Sequence, residues 1–126
     1  MPTFAAVEGG GTSWIVALVV DKPDNIVEKY RVDTETPDVT LGKLRKWLNE
    51  KKFDAIGVAS FGPIDAKIGS PTYGFITSTP KPNWANTDVL RYLGIYDEYK
   101  DTPCVFDTDV NAPAWAEYNL HNKESV

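Results

Sequence analysis

Phe4-Ala5-Ala6-Val7-Glu8-Gly9-Gly10-Gly11-Thr12-Ser13-Trp14-Ile15-Val16-Ala17-Leu18-Val19-Val20 is the stretch on which the fold turns. A short apolar run, Phe4 to Val7, stops at three glycines. A second run, Trp14 to Val20, is apolar without alternation. Only Glu8, the glycines, Thr12 and Ser13 separate them, and two strands so closely linked predict a hairpin. Lys22-Pro23-Asp24-Asn25 reads as a turn. Ile26 to Val32 then alternates, with Ile26, Glu28, Tyr30 and Val32 on one side and Val27, Lys29 and Arg31 on the other, which predicts a third strand.

Working outward, Leu41, Leu44 and Leu48 recur at helical spacing with Trp47 alongside. An amphipathic helix is expected over roughly residues 38–52. Asp54 to Ser60 is a short apolar strand with Gly57 inside it. Strand, helix, strand in that order implies a right-handed crossover and a mostly parallel continuation. From Phe61 to Ala85 the chain carries Pro63, Pro71, Pro80 and Pro82, with Gly62, Gly69 and Gly74. Phe61, Tyr73, Phe75 and Trp84 are interleaved among them. That segment is either a rigid binding loop or an irregular connection stiffened by proline. A short helix over residues 87–93 would be capped by Asn86 or Thr87. Cys104-Val105-Phe106 is a further short strand. Residues 112–120 are alanine-rich and apolar on one face, hence helical, with Pro113 in the first turn. Asp109 then stands at or beside that helix's N-terminus. The class is α/β: a mixed sheet that begins with an antiparallel hairpin and is flanked by helices.

The chain has 126 residues, 13 Lys+Arg and 18 Asp+Glu, a net charge of −5. That length suits one compact domain. Apolar content of 42% and charged content of 25% exclude a disordered tail, a collagen-like chain and a coiled coil. The acidic balance argues against nucleic acid as a partner. One cysteine, Cys104, and one histidine, His121, are too few for a structural zinc site. No apolar run approaches the roughly 18 residues that span a bilayer, and the N-terminus has no basic, then long apolar, leader. A cytoplasmic location without membrane contact is expected.

Three constellations carry chemistry. Glu8-Gly9-Gly10-Gly11-Thr12 offers backbone N–H groups and a hydroxyl that can cradle a phosphate, with Glu8 placed to hold a hydrated metal ion. The alternative is a plain glycine turn. Asp107-Thr108-Asp109-Val110-Asn111 follows a strand and precedes a helix. A carboxylate there can act as a base at a sheet edge, kept ionised by the helix N-terminus. The alternative is that one aspartate caps the helix and the other is solvated. Thr79-Pro80-Lys81-Pro82-Asn83-Trp84 joins a fixed backbone to a hydroxyl, a cation, an amide and an indole, a mixture suited to a sugar.

In this order the segments resemble the amino-terminal lobe of a ROK-family sugar kinase, its fructokinase branch above all. Glu8 to Thr12 corresponds to the family's acidic residue followed by Gly-Gly-Thr. Gly57-Val-Ala-Ser-Phe-Gly62-Pro63-Ile-Asp65 is similar to its Gly-x-x-x-x-Gly-Pro-x-Asp motif. Pro71 to Trp84 resembles the fructokinase Pro-Thr-Tyr-Gly-x-Ile-Thr-x-Thr-Pro-Lys-Pro-x-Trp stretch. Thr108 to Glu117 is similar to its Asn-Asp-x-Asn-Ala-x-Ala-x-x-Glu segment, with threonine for the first asparagine. The departures are Glu8 and Ser13, where many members carry aspartate and a basic residue, and Pro113 and Trp115 in place of small residues.

The resemblance implies a ribonuclease H-like, actin-like ATPase lobe spanning residues 1–126. It implies ATP and magnesium as cosubstrate and ion, and fructose or a related hexose phosphorylated at its 6-hydroxyl. Asp109 would be the general base. Gly10, Gly11 and Thr12 would meet the ATP phosphates, and Glu8 would hold magnesium, through water. Thr79, Lys81, Trp84, Thr108 and Asn111 would serve the sugar. The family's second lobe, with a Glu-x-Gly-His motif, a zinc site and adenosine contacts, does not occur in this sequence, so the isolated chain is expected to be inactive. The other readings are a non-catalytic sugar-binding lobe and a lobe that pairs with a second copy or a separate carboxy-terminal lobe through an exposed face bearing Trp84 and Phe61.

Overall fold

The computed structural model describes residues 2–22 and 25–107. Thr108, Asp109, Asn111 and the helix expected over residues 112–120 lie outside them. The expected hairpin is present. β1 (Thr3–Gly9) and β2 (Ser13–Val20) run antiparallel, with Thr3 opposite Val20 and Gly9 opposite Trp14. β3 (Ile26–Asp33) pairs antiparallel with β2, with a register shift at Leu18/Val19. Only Val32 is buried along β3, although the alternation in the sequence implies a whole covered face. The strand forms the edge of the sheet, and beyond Val32 its inner side meets only the Tyr30–Trp47 stack and the ion pair of Glu28 with Lys51 among the described residues.

α1 (Pro37–Asn49) starts and ends slightly before the range predicted by its leucines. Proline at the first position lacks only an N–H that would be unpaired anyway, and the chain turns out of the helix at Glu50. Leu41, Leu44 and Leu48 are fully buried. Thr40, equally buried, donates its hydroxyl to the Asp33 carbonyl at 3.0 Å and accepts the Glu35 N–H at 2.7 Å. That pair of bonds fixes how β3 hands over to the helix.

β4 (Ala55–Ala59) is buried along its whole length and pairs parallel with β1, Val58 beside Val7. A strand covered on both faces reads as a continuous apolar run rather than an alternation. Beyond it, β5 (Phe75–Ile76) and β6 (Thr87–Asp88) form a small antiparallel pair, and α2 (Val89–Tyr92) follows directly. Neither expected cap is used. Asp88 caps α2, accepting the Arg91 N–H at 3.2 Å, because Thr87 is committed to β6 and donates its hydroxyl to the Trp84 carbonyl at 2.7 Å. β7 (Cys104–Asp107) pairs parallel with β4, completing a five-stranded sheet in the order β3-β2-β1-β4-β7.

Among the described residues, α1 and α2 cover one face of this sheet. Ala5, Val7, Trp14, Val16, Ile56, Val58 and Phe106 pack there with the α1 leucines and with Leu90 and Leu93. Arg45 of α1 reaches across to Asp97 and Glu98, with its Nε 2.7 Å from a Glu98 oxygen. The guanidinium holds the Glu98 carboxyl down at about 2. Gly94 sits at φ +87, and a Cβ on it would meet both partners of this pair, at 2.7 and 2.9 Å. Tyr99 donates to the Asn49 side chain, a second link from α1 to the same segment.

Candidate active site

The parallel registers bring three chain segments to one edge. Glu8 of β1 lies beside Ala59 of β4, and Ala59 lies beside Asp107 of β7. The carboxyl ends of parallel strands are where α/β sheets place ligands. Glu8 and Asp107 are both exposed there. From this edge the chain continues into the glycine turn after β1 and into Ser60-Phe61-Gly62-Pro63 after β4.

The glycine turn is closed by the Gly10 N–H donating to the Ser13 carbonyl at 2.9 Å. No left-handed φ occurs in it; the positive-φ glycines are Gly69, Gly74 and Gly94. Gly9 is needed for room instead. A Cβ on Gly9 would lie 2.4 Å from the Trp14 ring. Two further bonds hold the turn from the β3–α1 connection: the Thr34 N–H donates to the Thr12 carbonyl at 2.9 Å, and the Thr34 hydroxyl donates to the Gly10 carbonyl at 2.8 Å. A cleft of about 260 Å³ opens beside it, lined by Glu8, Gly9, Gly10, Ser13, Ile15 and Ala59. Glu8, Ile15 and Ala59 are register partners, so they share the sheet face opposite to the one covered by α1. Gly11 and Thr12 are exposed at the tip of the turn.

Trp84 does not lie on an open face. It is fully buried, its ring stacked on Trp14 at 5.6 Å and met edge-on by Phe61 at 5.4 Å. Its indole N–H donates to the Glu35 carbonyl at 2.8 Å. The exposed Trp84–Phe61 patch expected for pairing with a second copy is therefore absent, because the indole is spent on the core. Thr79 and Lys81 are half-buried in the same loop, with the Lys81 N–H donating to the Thr79 hydroxyl at 3.2 Å. The start of the loop is organised by Asp65. It accepts from the hydroxyls of Ser70 and Thr72 and from the Lys67 N–H at 3.0 Å. These donors, Ser70 first and then Thr72, hold its carboxyl below the usual range.

Of the residues expected to bind phosphate or metal, the structure groups Glu8, Gly10, Gly11 and Thr12 in one turn at the sheet edge. The loop of Thr79 and Lys81 reaches that turn through the Trp84–Trp14 stack. Thr34 and Glu35 were not legible as site residues. A threonine at a strand end has many bland explanations, and only the fold places it under the turn. Among the described residues, no group of three or more His, Cys, Asp or Glu side chains could hold a metal ion. Glu8 is a single carboxylate at a glycine-lined cleft. That fits magnesium, which retains waters and takes one or two carboxylates beside substrate phosphates. No helix of the described residues is long and apolar enough to cross a membrane.

Residues 4–126 match the ROK family. The chain is 43% identical over 114 residues to a fructokinase of Lactococcus lactis subsp. cremoris, covering 90% of this chain and 38% of that protein. It is 42% identical over 118 residues to a fructokinase of Streptococcus mutans, with the same coverage. It thus spans under two-fifths of the length of these relatives. In structure it is similar to a ROK family glucokinase from Streptomyces griseus, solved with glucose and AMPPNP. The TM-score is 0.66 at 21% identity, over 92% of this chain and 36% of that one. A ROK family protein from Streptococcus pneumoniae, solved with sucrose, gives a TM-score of 0.62 at 21% identity, over 83% of this chain and 34% of that one. These likenesses show that the chain shares the fold of these ROK family proteins.

Proposed function

Because this chain belongs to the ROK family, we propose that residues 1–126 are the amino-terminal lobe of an ATP-dependent fructokinase. The complete enzyme transfers the γ-phosphoryl group of ATP to the 6-hydroxyl of fructose or a related hexose. The observation that carries this reading is the glycine turn, held beside Glu8 and a cleft at the carboxyl edge of β1, β4 and β7. Relatives named fructokinase at 42–43% identity support the choice of sugar.

Phosphoryl transfer asks a protein mainly for positioning and charge neutralisation. The N–H groups of Gly11 and Thr12 face the β- and γ-phosphates, with Gly10 shaping the turn through its own bond to Ser13, and the Thr12 hydroxyl adds a donor. Glu8 holds hydrated magnesium, which supplies positive charge against the phosphate oxygens when bound. Thr79, Lys81, Thr108 and Asn111 orient the hexose. Trp84 serves from beneath, fixing the loop that carries Thr79 and Lys81. Asp109 takes the proton of the 6-hydroxyl as its oxygen forms a bond to the γ-phosphorus and the bond to the ADP oxygen breaks. A base so placed contributes roughly 10²–10⁴-fold.

The test is ADP release from MgATP with fructose, glucose or mannose. It is run on this chain alone, and on this chain mixed with the carboxy-terminal part of the Lactococcus lactis fructokinase. The chain alone is expected to be silent, and the mixture to release ADP only with sugar. Asp109→Asn should lower the mixture's rate by roughly a hundredfold or more. Full activity in that variant sinks the base assignment. Sugar-independent ADP release in the mixture sinks the kinase reading.

A further inference from the structure

We infer that Thr34 is a positioning residue for phosphate binding, the clamp that turns the glycine loop's donors toward the cleft. The inference rests on reading that loop as the phosphate site. Thr34 makes two bonds to the loop, both to carbonyls: its N–H to Thr12 and its hydroxyl to Gly10. In a trans peptide the carbonyl of one residue and the N–H of the next point in opposite directions. Drawing the Gly10 carbonyl onto Thr34 therefore sends the Gly11 N–H the other way. Drawing in the Thr12 carbonyl does the same for the Ser13 N–H.

Thr34 leads from β3 into α1, on the side of the sheet where Trp14 is packed. The cleft lies on the other side, with Glu8, Ile15 and Ala59. So the Gly10 and Thr12 carbonyls are occupied on the helix side, the Gly10 N–H is closed onto the Ser13 carbonyl, and the Gly11 and Ser13 N–H groups are the donors turned away from Thr34, toward the cleft side. An anion in a cleft bounded by a carboxylate, Glu8, is repelled unless donors are already aimed at it. A loop free to rotate its peptides would present carbonyls part of the time and pay to reorder them on binding. Thr34 removes that freedom.

The same segment locks the other side of the site. Glu35, next in the chain, accepts the Trp84 indole N–H. Trp84 stacks on Trp14, and Trp14 fills the space against Gly9. The contacts form a closed circuit: glycine loop, Thr34, Glu35, Trp84, Trp14 and back to Gly9. Thr34 is where that circuit meets the loop by a side-chain hydrogen bond.

The hydroxyl can be removed without changing shape. Thr34→Val is nearly isosteric and keeps the N–H bond to Thr12. Thr34→Ser keeps the donor and loses a methyl. The probe is inorganic pyrophosphate with magnesium, titrated into this chain with the amide resonances of Gly10, Gly11 and Thr12 observed by NMR and unfolding midpoints recorded beside it. Shifts confined to the glycine loop are expected in the unaltered chain. Thr34→Val should bind roughly tenfold more weakly, and Thr34→Ser should bind as the unaltered chain does. Equal affinity in Thr34→Val overturns the clamp and leaves the phosphate site standing. Equal losses in Thr34→Val and Thr34→Ser also overturn it, since packing would then be the cause. No loop shifts in the unaltered chain overturn the phosphate site itself, and the clamp with it.

Discussion

A Cβ on Gly9 would stand 2.4–2.5 Å from three atoms of the Trp14 ring, and that ring has nowhere to retreat, being stacked on Trp84 and met edge-on by Phe61. Gly9→Ala is therefore expected to destabilise the chain by about 1–3 kcal/mol. The reading is a lower urea midpoint at unchanged slope; an unchanged midpoint would show that the stack yields. Glu98 gives a pH signature. Its carboxyl is held from 4.5 down to about 2, chiefly by the Arg45 hydrogen bond. A depressed carboxyl contributes its stability fully above 4.5 and loses it as pH falls toward 2. The stability gap between the unaltered chain and Glu98→Gln should thus be constant above about pH 5 and close on acidification. A gap that widens in acid would contradict the pairing. Cys104 behaves oppositely: burial alone pushes its thiol up to about 12. Its alkylation at pH 8 should be slow in the native state and fast in denaturant.

At the scale of elements, the period of hydrophobicity predicted the hairpin, α1 and the buried strand β4 from local pattern alone. It could not say which face of a loop is outside. Trp84 sits in a polar, proline-rich stretch beside Lys81 and Asn83, and its neighbours point to a sugar-facing indole. The fold instead buries it under the loop, where stacking on Trp14 and a bond to Glu35 satisfy both its ring and its N–H. Trp84→Ala should cost about 3–5 kcal/mol, and Trp84→Phe less, with the difference measuring the lost N–H bond. A Trp84→Ala chain of undiminished stability would return the indole to the surface. The helix cap failed for a related reason. Asn86 and Thr87 both have capping chemistry, but β6 and the Trp84 carbonyl claim Thr87 first, leaving Asp88 as the cap.

For the whole molecule, the sheet order decides what can act together. Glu8, Ala59 and Asp107 are far apart in the chain, and two parallel registers make them neighbours. The glycines and Glu8 were legible as a candidate phosphate and metal site because their chemistry is local: free N–H groups and a carboxylate need no partner to be recognised. The strands, the helix, the acidic charge and the family resemblance likewise followed from residue order, since periodicity and short motifs are properties of the chain. The clamp at Thr34, the burial of Trp84 and the edge exposure of β3 were decided only by tertiary structure. Each depends on which residue of a distant segment arrives within hydrogen-bond or van der Waals reach, and long-range pairing, not local preference, sets that arrival.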